Sequence, residues 1–293
     1  MKIGMIGLGR MGGAMGRRLL AAGFDLAVFD KDDAQTKALE LLGGRVSSDI
    51  SDLCRDRDVV ITMLPSDPIL MDVACGPAGL THGLKAGAIH MVSGTHGVTV
   101  MERLRQQHLD GGQVLISCTV LGRPDRAAEG KLGLIIAGPA EARQALMPIL
   151  NVLGEQIFES GEDPLTSVAV KIANNFVLGC AIEAMGEGMA LVRRYGVDPE
   201  LFFDVLTKGL FNCVAYQSYG DVIAKEDWDR VGATAAIGLK DAQLAFEAAD
   251  RMSMPLPSGN VWRDHLLSAC GRGEAGLDWA VMAREQFRKS GLE

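Results

Sequence analysis

The sequence contains no C-x-x-C pair: Cys54, Cys75, Cys118, Cys180, Cys213 and Cys270 stand more than twenty positions apart. That spacing argues against zinc ribbons and thioredoxin-type redox sites, and no metal site is expected. The cysteines fall in apolar stretches and read as small buried hydrophobes in a reducing compartment. A long basic run is also missing. The 37 acids against 29 bases leave a formal charge of −8, a poor match to a nucleic-acid partner. No run of about 18 apolar residues is free of charge, so no membrane partner is expected. The opening MKIGMIGLGR lacks the regions of a signal peptide, and a cytoplasmic protein is the expectation.

What is present is the balance of a folded chain, 48% hydrophobic and 23% charged. At 293 residues it is about twice the usual domain size, which favours two domains. Short apolar runs at 2–7, 26–29, 58–63, 88–92, 114–116 and 132–137 read as strands. Helical patterns at 10–22, 34–43, 98–109 and 140–153 separate most of them. Buried strands alternating with helices mean βαβ units and a largely parallel sheet, a pattern that stops near residue 160. Residues 164–194 then keep apolar residues at helical spacing with no interior proline, a helix of roughly 45 Å. Further helices are expected at 199–208, 214–225, 232–250, 257–271 and 275–290.

Gly7-Leu8-Gly9-Arg10-Met11-Gly12 is a G-x-G-x-x-G that follows a predicted strand and opens a helix, the context a dinucleotide site requires. Gly7 permits the tight turn, Gly9 lets a pyrophosphate approach the backbone, and Gly12 lets helix and strand pack closely. Asp30 lies eighteen residues after Gly12, at the end of the second strand. A carboxylate there accepts from ribose hydroxyls and repels a 2′-phosphate, which favours NAD, while the neighbouring Lys31 keeps NADP open. An N-cap role is open to Asp30 and suits Asp32 or Asp33 better. The fold class is therefore α/β. A Rossmann domain over 1–162 is followed by an all-helical substrate and oligomerisation domain over 163–293, linked by the long helix.

Taken together, the motifs resemble the β-hydroxyacid dehydrogenase family, of the 3-hydroxyisobutyrate dehydrogenase type. The segment GLGRMGGAMGRRLLAAG (7–23) is similar to that family's cofactor motif, G-L-G-x-M-G-x-x-M. Thr62-Met63-Leu64-Pro65 looks like its T-M-L-P, Ser93-Gly94-Thr95 like its serine/threonine loop, Lys171 to Asn175 like its K-x-x-x-N, and Lys240-Asp241 like its K-D. The resemblance implies an NAD(P)-dependent oxidoreductase that forms homodimers or homotetramers and acts on a small molecule. It implies that Arg10, Met11, Met63, Leu64, Pro65, Thr95 and Lys240 meet the cofactor with the glycines and Asp30. It places Ser93, Val120, Leu121, Gly122, Arg123 and Asp241 toward the substrate.

Lys171 and Asn175 are four apart, so on a helix they project from one face. Alcohol oxidation needs a base for the hydroxyl proton while hydride leaves carbon, and the reverse reaction needs an acid at the same place. A lysine ammonium suits the acid role. As a base it must be neutral, which partial burial and a nearby oxidised nicotinamide both favour. The resemblance makes Lys171 the catalytic acid/base and Asn175 its partner.

One stretch departs from the family pattern. The substrate loop, D-A-P-V-S-G-G in the family, reads Ser117-Cys118-Thr119-Val120-Leu121-Gly122-Arg123 here, with Gly130 and Leu132 as the downstream anchor. Leu121 cannot donate the hydrogen bond of the serine that it replaces. Either Arg123 binds the carboxylate in its place, or the substrate is less acidic and Leu121 lines its pocket. Arg123 also reads as a surface residue paired with Asp125 or Glu129. The alternative functions are an imine reductase on the same scaffold, against which Lys171 counts, and a cofactor-binding regulator without turnover. His96 follows the Ser93–Thr95 loop and receives no role.

Overall fold

The computed structural model describes residues 1–293. They divide into two compact units, Met1–Lys171 and Ile172–Glu293, and the division falls inside one long helix.

The first unit opens with β1 (Lys2–Ile6), α1 (Arg10–Ala21), β2 (Asp25–Phe29), α2 (Asp33–Glu40), β3 (Arg45–Val46), α3 (Ile50–Cys54) and β4 (Val59–Thr62). It continues through α4 (Asp67–Cys75), α5 (Leu80–Gly83), β5 (Ile89–Val92), α6 (Val98–Asp110) and β6 (Val114–Leu121). Then come α7 (Pro124–Glu129), β7 (Leu132–Ala137), α8 (Ala140–Leu153) and β8 (Gly154–Gly161). The eight strands form one sheet in the order β3-β2-β1-β4-β5-β6-β7-β8. All neighbours are parallel except β6 and β7.

Burial explains the continuous apolar strands. β4 and β5 are buried at every position, because a parallel sheet is covered on both faces. Ile3, Met5, Val59 and Ile61 join a core with Met15 and Leu19 of α1 and Leu146 and Ile149 of α8. Gly4 and Val60 face the other way, against Leu53 of α3. Cutting Met15 or Leu146 back to alanine would leave a cavity costing about 2–5 kcal/mol.

Several elements lay outside the sequence reading, among them β3, α3, α4, α5 and α7, and two further departures shape the sheet. β7 runs antiparallel to β6, and β8 forms where the strand pattern had ended. Glu155, Gln156, Phe158 and Glu159 of β8 are exposed, so this edge strand carries no clean apolar alternation.

The second unit is helical. α9 (Pro164–Arg194) enters it from the first, followed by α10 (Pro199–Lys208), α11 (Val214–Lys225), α12 (Ala235–Arg251), α13 (Pro257–Gly271) and α14 (Met282–Lys289). A short 3-10 turn, Trp279–Val281, precedes α14, where one helix over 275–290 was expected. Small residues on α9 admit large neighbours: a side chain at Gly179 would collide with the Trp262 ring, and one at Gly186 with Ala283. Trp228, Trp262 and Trp279 are all buried, as packing residues should be.

All six cysteines are free thiols, but Cys213 is exposed and only Cys54 and Cys118 are fully buried, which corrects the reading of all six as buried. Desolvation pushes the thiols of Cys54 and Cys118 up to about 12, far from the reactive thiolate. α9 carries Lys171, Glu183 and Glu187 along its apolar run, so charge does interrupt it. Its most apolar 18-residue window has a mean hydropathy of 1.5, long and apolar enough by composition to cross a membrane, and only 33% of it is buried.

Candidate active site

The polypeptide leaves β1 through Gly7, whose φ of +87° lies in the left-handed region. A Cβ on Gly7 would strike the Met63 carbonyl, and one on Gly12 would strike the Gly7 carbonyl. Both glycines are thus demanded by the packing of α1 on the strands. Gly9 differs: a Cβ there would meet no protein atom within 4 Å, and the position faces open space. Gly9 is the N-cap of α1 without a side-chain cap, and no acid stands in the first turn. Unsatisfied N–H groups, the positive end of the helix dipole and an open approach fit a pyrophosphate. Arg10 is exposed and Met11 half-buried beside this opening.

Asp30 stands at the carboxyl end of β2, and its Oδ2 accepts from the Leu8 N–H at 2.6 Å while its Oδ1 accepts from the Asp32 N–H at 2.9 Å. The carboxylate therefore ties the glycine-rich loop to the turn before α2 and keeps a negative charge at the edge of the site. The N-cap of α2 is Asp32, which accepts from the Ala34 N–H at 3.0 Å. The strand order reverses between β1 and β4, and a dinucleotide crosses an open α/β sheet at that switch point. Met63, Leu64 and Pro65 follow β4, and Ser93 and Thr95 follow β5, so both groups stand at the same carboxyl edge. Ser93 is buried, and its Oγ makes no hydrogen bond within the protein.

β6 pairs with β5 only over Val114–Ser117 and continues to Leu121, so its last four residues extend beyond the end of β5. This extension carries Val120, which is buried, and Leu121, which is half-buried and packs over Gly133 of β7. Gly122 has a φ of +132°, and Arg123 caps α7 without a side-chain hydrogen bond. The pairing of Arg123 with Glu129 does not form: Glu129 pairs with Lys131 at 2.9 Å, and Arg126 takes Glu155. Asp125 forms no ion pair with Arg123 either. The Arg123 guanidinium is half-buried and makes neither a hydrogen bond nor an ion pair.

In the second unit Asn175 and Asp241 are both buried, and Asn175 Nδ2 donates to Asp241 Oδ2 at 2.7 Å. Lys240 Nζ stands 3.1 Å from Asp241 Oδ1. Asp241 thus holds Asn175 directly and also stands beside Lys240. Asn174 turns its amide to Asn175 Oδ1 at 3.2 Å, which leaves that oxygen a second lone pair. Lys171, half-buried, precedes Asn175 by one turn of α9.

A buried polar chain behind β4 escaped the sequence reading. Gln113 Nε2 donates to the carbonyls of Thr81 at 3.1 Å and Leu84 at 2.9 Å, so its Oε1 must accept from His108 Nδ1–H at 2.7 Å. His108 Nε2 then accepts from His90 Nδ1–H at 2.8 Å, and His90 Nε2 accepts the Thr62 hydroxyl at 2.9 Å. Burial holds both imidazoles below the usual histidine range, and for His90 the nearby His108 and His96 add to it. The Thr62 proton is committed away from the ligand edge. Thr62, His90 and His108 lie on separate elements and offer no local pattern from which this could be read.

Comparison with known proteins yields two family models. One, the NAD binding domain of 6-phosphogluconate dehydrogenase, matches residues 2–161. The other, the NAD-binding model of NADP-dependent 3-hydroxyisobutyrate dehydrogenase, matches residues 166–285. The chain is 37% identical to the oxidoreductase YfjR of Bacillus subtilis, covering 97% of this chain and 99% of that one. It is 28% identical to an L-threonate dehydrogenase of Cupriavidus necator, over 94% of this chain and 93% of the other. Among solved structures, a 3-hydroxyisobutyrate dehydrogenase from Salmonella typhimurium shares the fold with a TM-score of 0.87 at 22% identity, covering 97% of this chain and 99% of that one. An imine reductase from Pseudomonas sp. follows at a TM-score of 0.61 and 20% identity, covering 97% and 98%.

Proposed function

The chain belongs to the β-hydroxyacid dehydrogenase family, and from that membership we propose that it is an NAD(P)-dependent oxidoreductase interconverting a small β-hydroxyacid and its semialdehyde or keto form. The observation that carries this reading is the Asn175–Asp241 hydrogen bond one turn after Lys171, which pre-orients the amide beside the acid/base. In oxidation the Lys171 amine takes the substrate hydroxyl proton at Nζ, and in reduction the ammonium returns it to the carbonyl oxygen. When bound, the nicotinamide accepts or supplies the hydride. The free lone pair of Asn175 Oδ1 receives the substrate hydroxyl or the lysine ammonium, and Lys240 contacts the cofactor. The glycine-rich loop, Arg10, Met11, Met63, Leu64, Pro65 and Thr95 hold the dinucleotide.

The unpaired Arg123 supports an acid substrate. A guanidinium with no internal partner binds a carboxylate bidentately, while Ser93, Val120, Leu121 and Gly122 shape the remainder. The fixed charge of Asp30 supports a preference for NAD over NADP. The imine-reducing alternative draws on Leu121 and the altered substrate loop, and Lys171 weighs against it. The partly uncovered apolar surface of α9 supports a homodimer or homotetramer, and the six free thiols suit the cytoplasm.

A paired screen tests the reading. Hydroxy acids with NAD or NADP, and semialdehydes and cyclic imines with NADH or NADPH, are offered to the purified protein and to Lys171→Ala. Hydroxy-acid turnover that disappears in the variant is expected; turnover of imines alone would overturn the reading.

A further inference from the structure

Two loops that leave adjacent strands at the ligand edge are joined by a pair of side chains from outside the family motifs. Asp67 is the first residue of α4, two positions after Pro65, and His96 follows Thr95. His96 Nδ1 lies 2.8 Å from Asp67 Oδ1, and because a carboxylate only accepts, Nδ1 carries the proton. The same carboxylate accepts from the Gly97 N–H at 3.1 Å and 3.3 Å. Gly97 is the N-cap of α6 and has no side chain to cap with, so Asp67 supplies the cap of α6 from another helix. The imidazole is only 1% exposed and is wedged between the loops. A Cβ on Gly94 would lie 2.5 Å from His96 Nε2 and 2.7 Å from the Leu64 carbonyl, so the loops approach as closely as a glycine allows.

We propose that Asp67 and His96 are positioning residues: their hydrogen bond clasps the loop after β4 to the loop after β5 and thereby sets affinity for the far half of the dinucleotide. The proposal rests on the cofactor role assigned above to these loops. A local cap for α6 would need only a serine or aspartate at position 97. Taking the cap from Asp67 instead couples the two loops, so Leu64 and Pro65 keep a fixed spacing to Ser93 and Thr95. Asp30 and Gly9 sit on the β1–β2 side of the switch point, whereas the clasped loops follow β4 and β5 on its other side. The clasp therefore bears on the nicotinamide half and leaves the ADP-ribose half alone.

That asymmetry provides the test. Dissociation constants for NADH and for ADP-ribose are measured by fluorescence and calorimetry on the full chain and on His96→Leu, Asp67→Ala and His96→Asn. NADH binding is expected to weaken about tenfold or more in the first two variants, as for loss of a hydrogen bond to a charged group. ADP-ribose binding stays at the wild-type value, and His96→Asn, which restores an N–H near the Nδ1 position, recovers most of the NADH affinity. Gly94→Ala keeps both partners and pushes the loops apart, so it should also weaken NADH selectively if the other variants fail to fold. Equal weakening of both ligands, or no change in either, would overturn the clasp. A wild-type protein that binds neither NADH nor NADPH would overturn the cofactor reading itself, and the clasp with it.

Discussion

Asn175 on α9 and Asp241 on α12 are joined by a 2.7 Å hydrogen bond between two buried side chains. The bond settles which way the amide faces: its N–H is given to the carboxylate, so its oxygen is left for Asn174 and one further donor. Removing the carboxylate should release the amide. Asp241→Ala is expected to lower kcat and to cost about 1–3 kcal/mol of stability, the penalty of a buried donor without an acceptor. Steady-state kinetics and urea melts check both. Full kcat in Asp241→Ala would show that Asn175 needs no such orientation.

Lys171 is half-buried, so its loss should act on chemistry rather than folding. Lys171→Ala is expected to lower kcat about 10²–10⁴-fold with the thermal midpoint nearly unchanged. Partial rescue by small exogenous amines would identify the missing group as a proton carrier.

The Arg123 side chain contributes no internal hydrogen bond or ion pair, and its removal should leave stability alone. Arg123→Ala is expected to raise KM for a carboxylate substrate about 10- to 100-fold, the range for a lost charged hydrogen bond, with kcat changed less. An unchanged KM would assign the carboxylate contact to another group.

Stability should fall in acid through His90 and His108. Both are held neutral in the folded chain, with affinities for protons below the unfolded value of about 6.5. The unfolded chain therefore binds more protons as pH drops. The stabilisation is present above about pH 6.5 and is lost progressively as pH falls beneath it. Urea midpoints measured between about pH 8 and pH 5 should decline in the lower half of that range. The decline should be shallower in His108→Gln, which cannot charge; an identical slope in that variant would place the acid sensitivity elsewhere.

Asp30 offers a test of cofactor choice. Replacing it with serine removes the fixed charge, so Asp30→Ser should weaken NADH and narrow or reverse the gap to NADPH, read as dissociation constants. If the wild-type protein already binds NADPH more tightly, Lys31 rather than Asp30 governs the choice.

The sequence by itself determined whatever depends on local pattern. Apolar runs of strand length between helical stretches specified the α/β unit, because a strand buried on both faces must be apolar throughout. Gly7, Gly9 and Gly12 marked a phosphate turn, and the absence of proline inside residues 165–194 allowed α9 to run unbroken. The four-residue spacing of Lys171 and Asn175 put them on one helical face.

What the tertiary structure alone decided are the pairings between distant segments. Asn175 with Asp241, Asp67 with His96, and the chain from Thr62 through His90 and His108 to Gln113 each join residues from separate elements. Polar groups taken out of water must find partners, and which partner is in reach depends on strand order and helix packing rather than on neighbouring letters. Arg123 makes the same point in reverse: nearby acids suggested a surface ion pair, and the fold engages Glu129 with Lys131 and leaves the guanidinium without an internal partner. The antiparallel β7 and the exposed edge strand β8 were likewise settled by strand pairing, since an edge strand without clean apolar alternation cannot be read in advance.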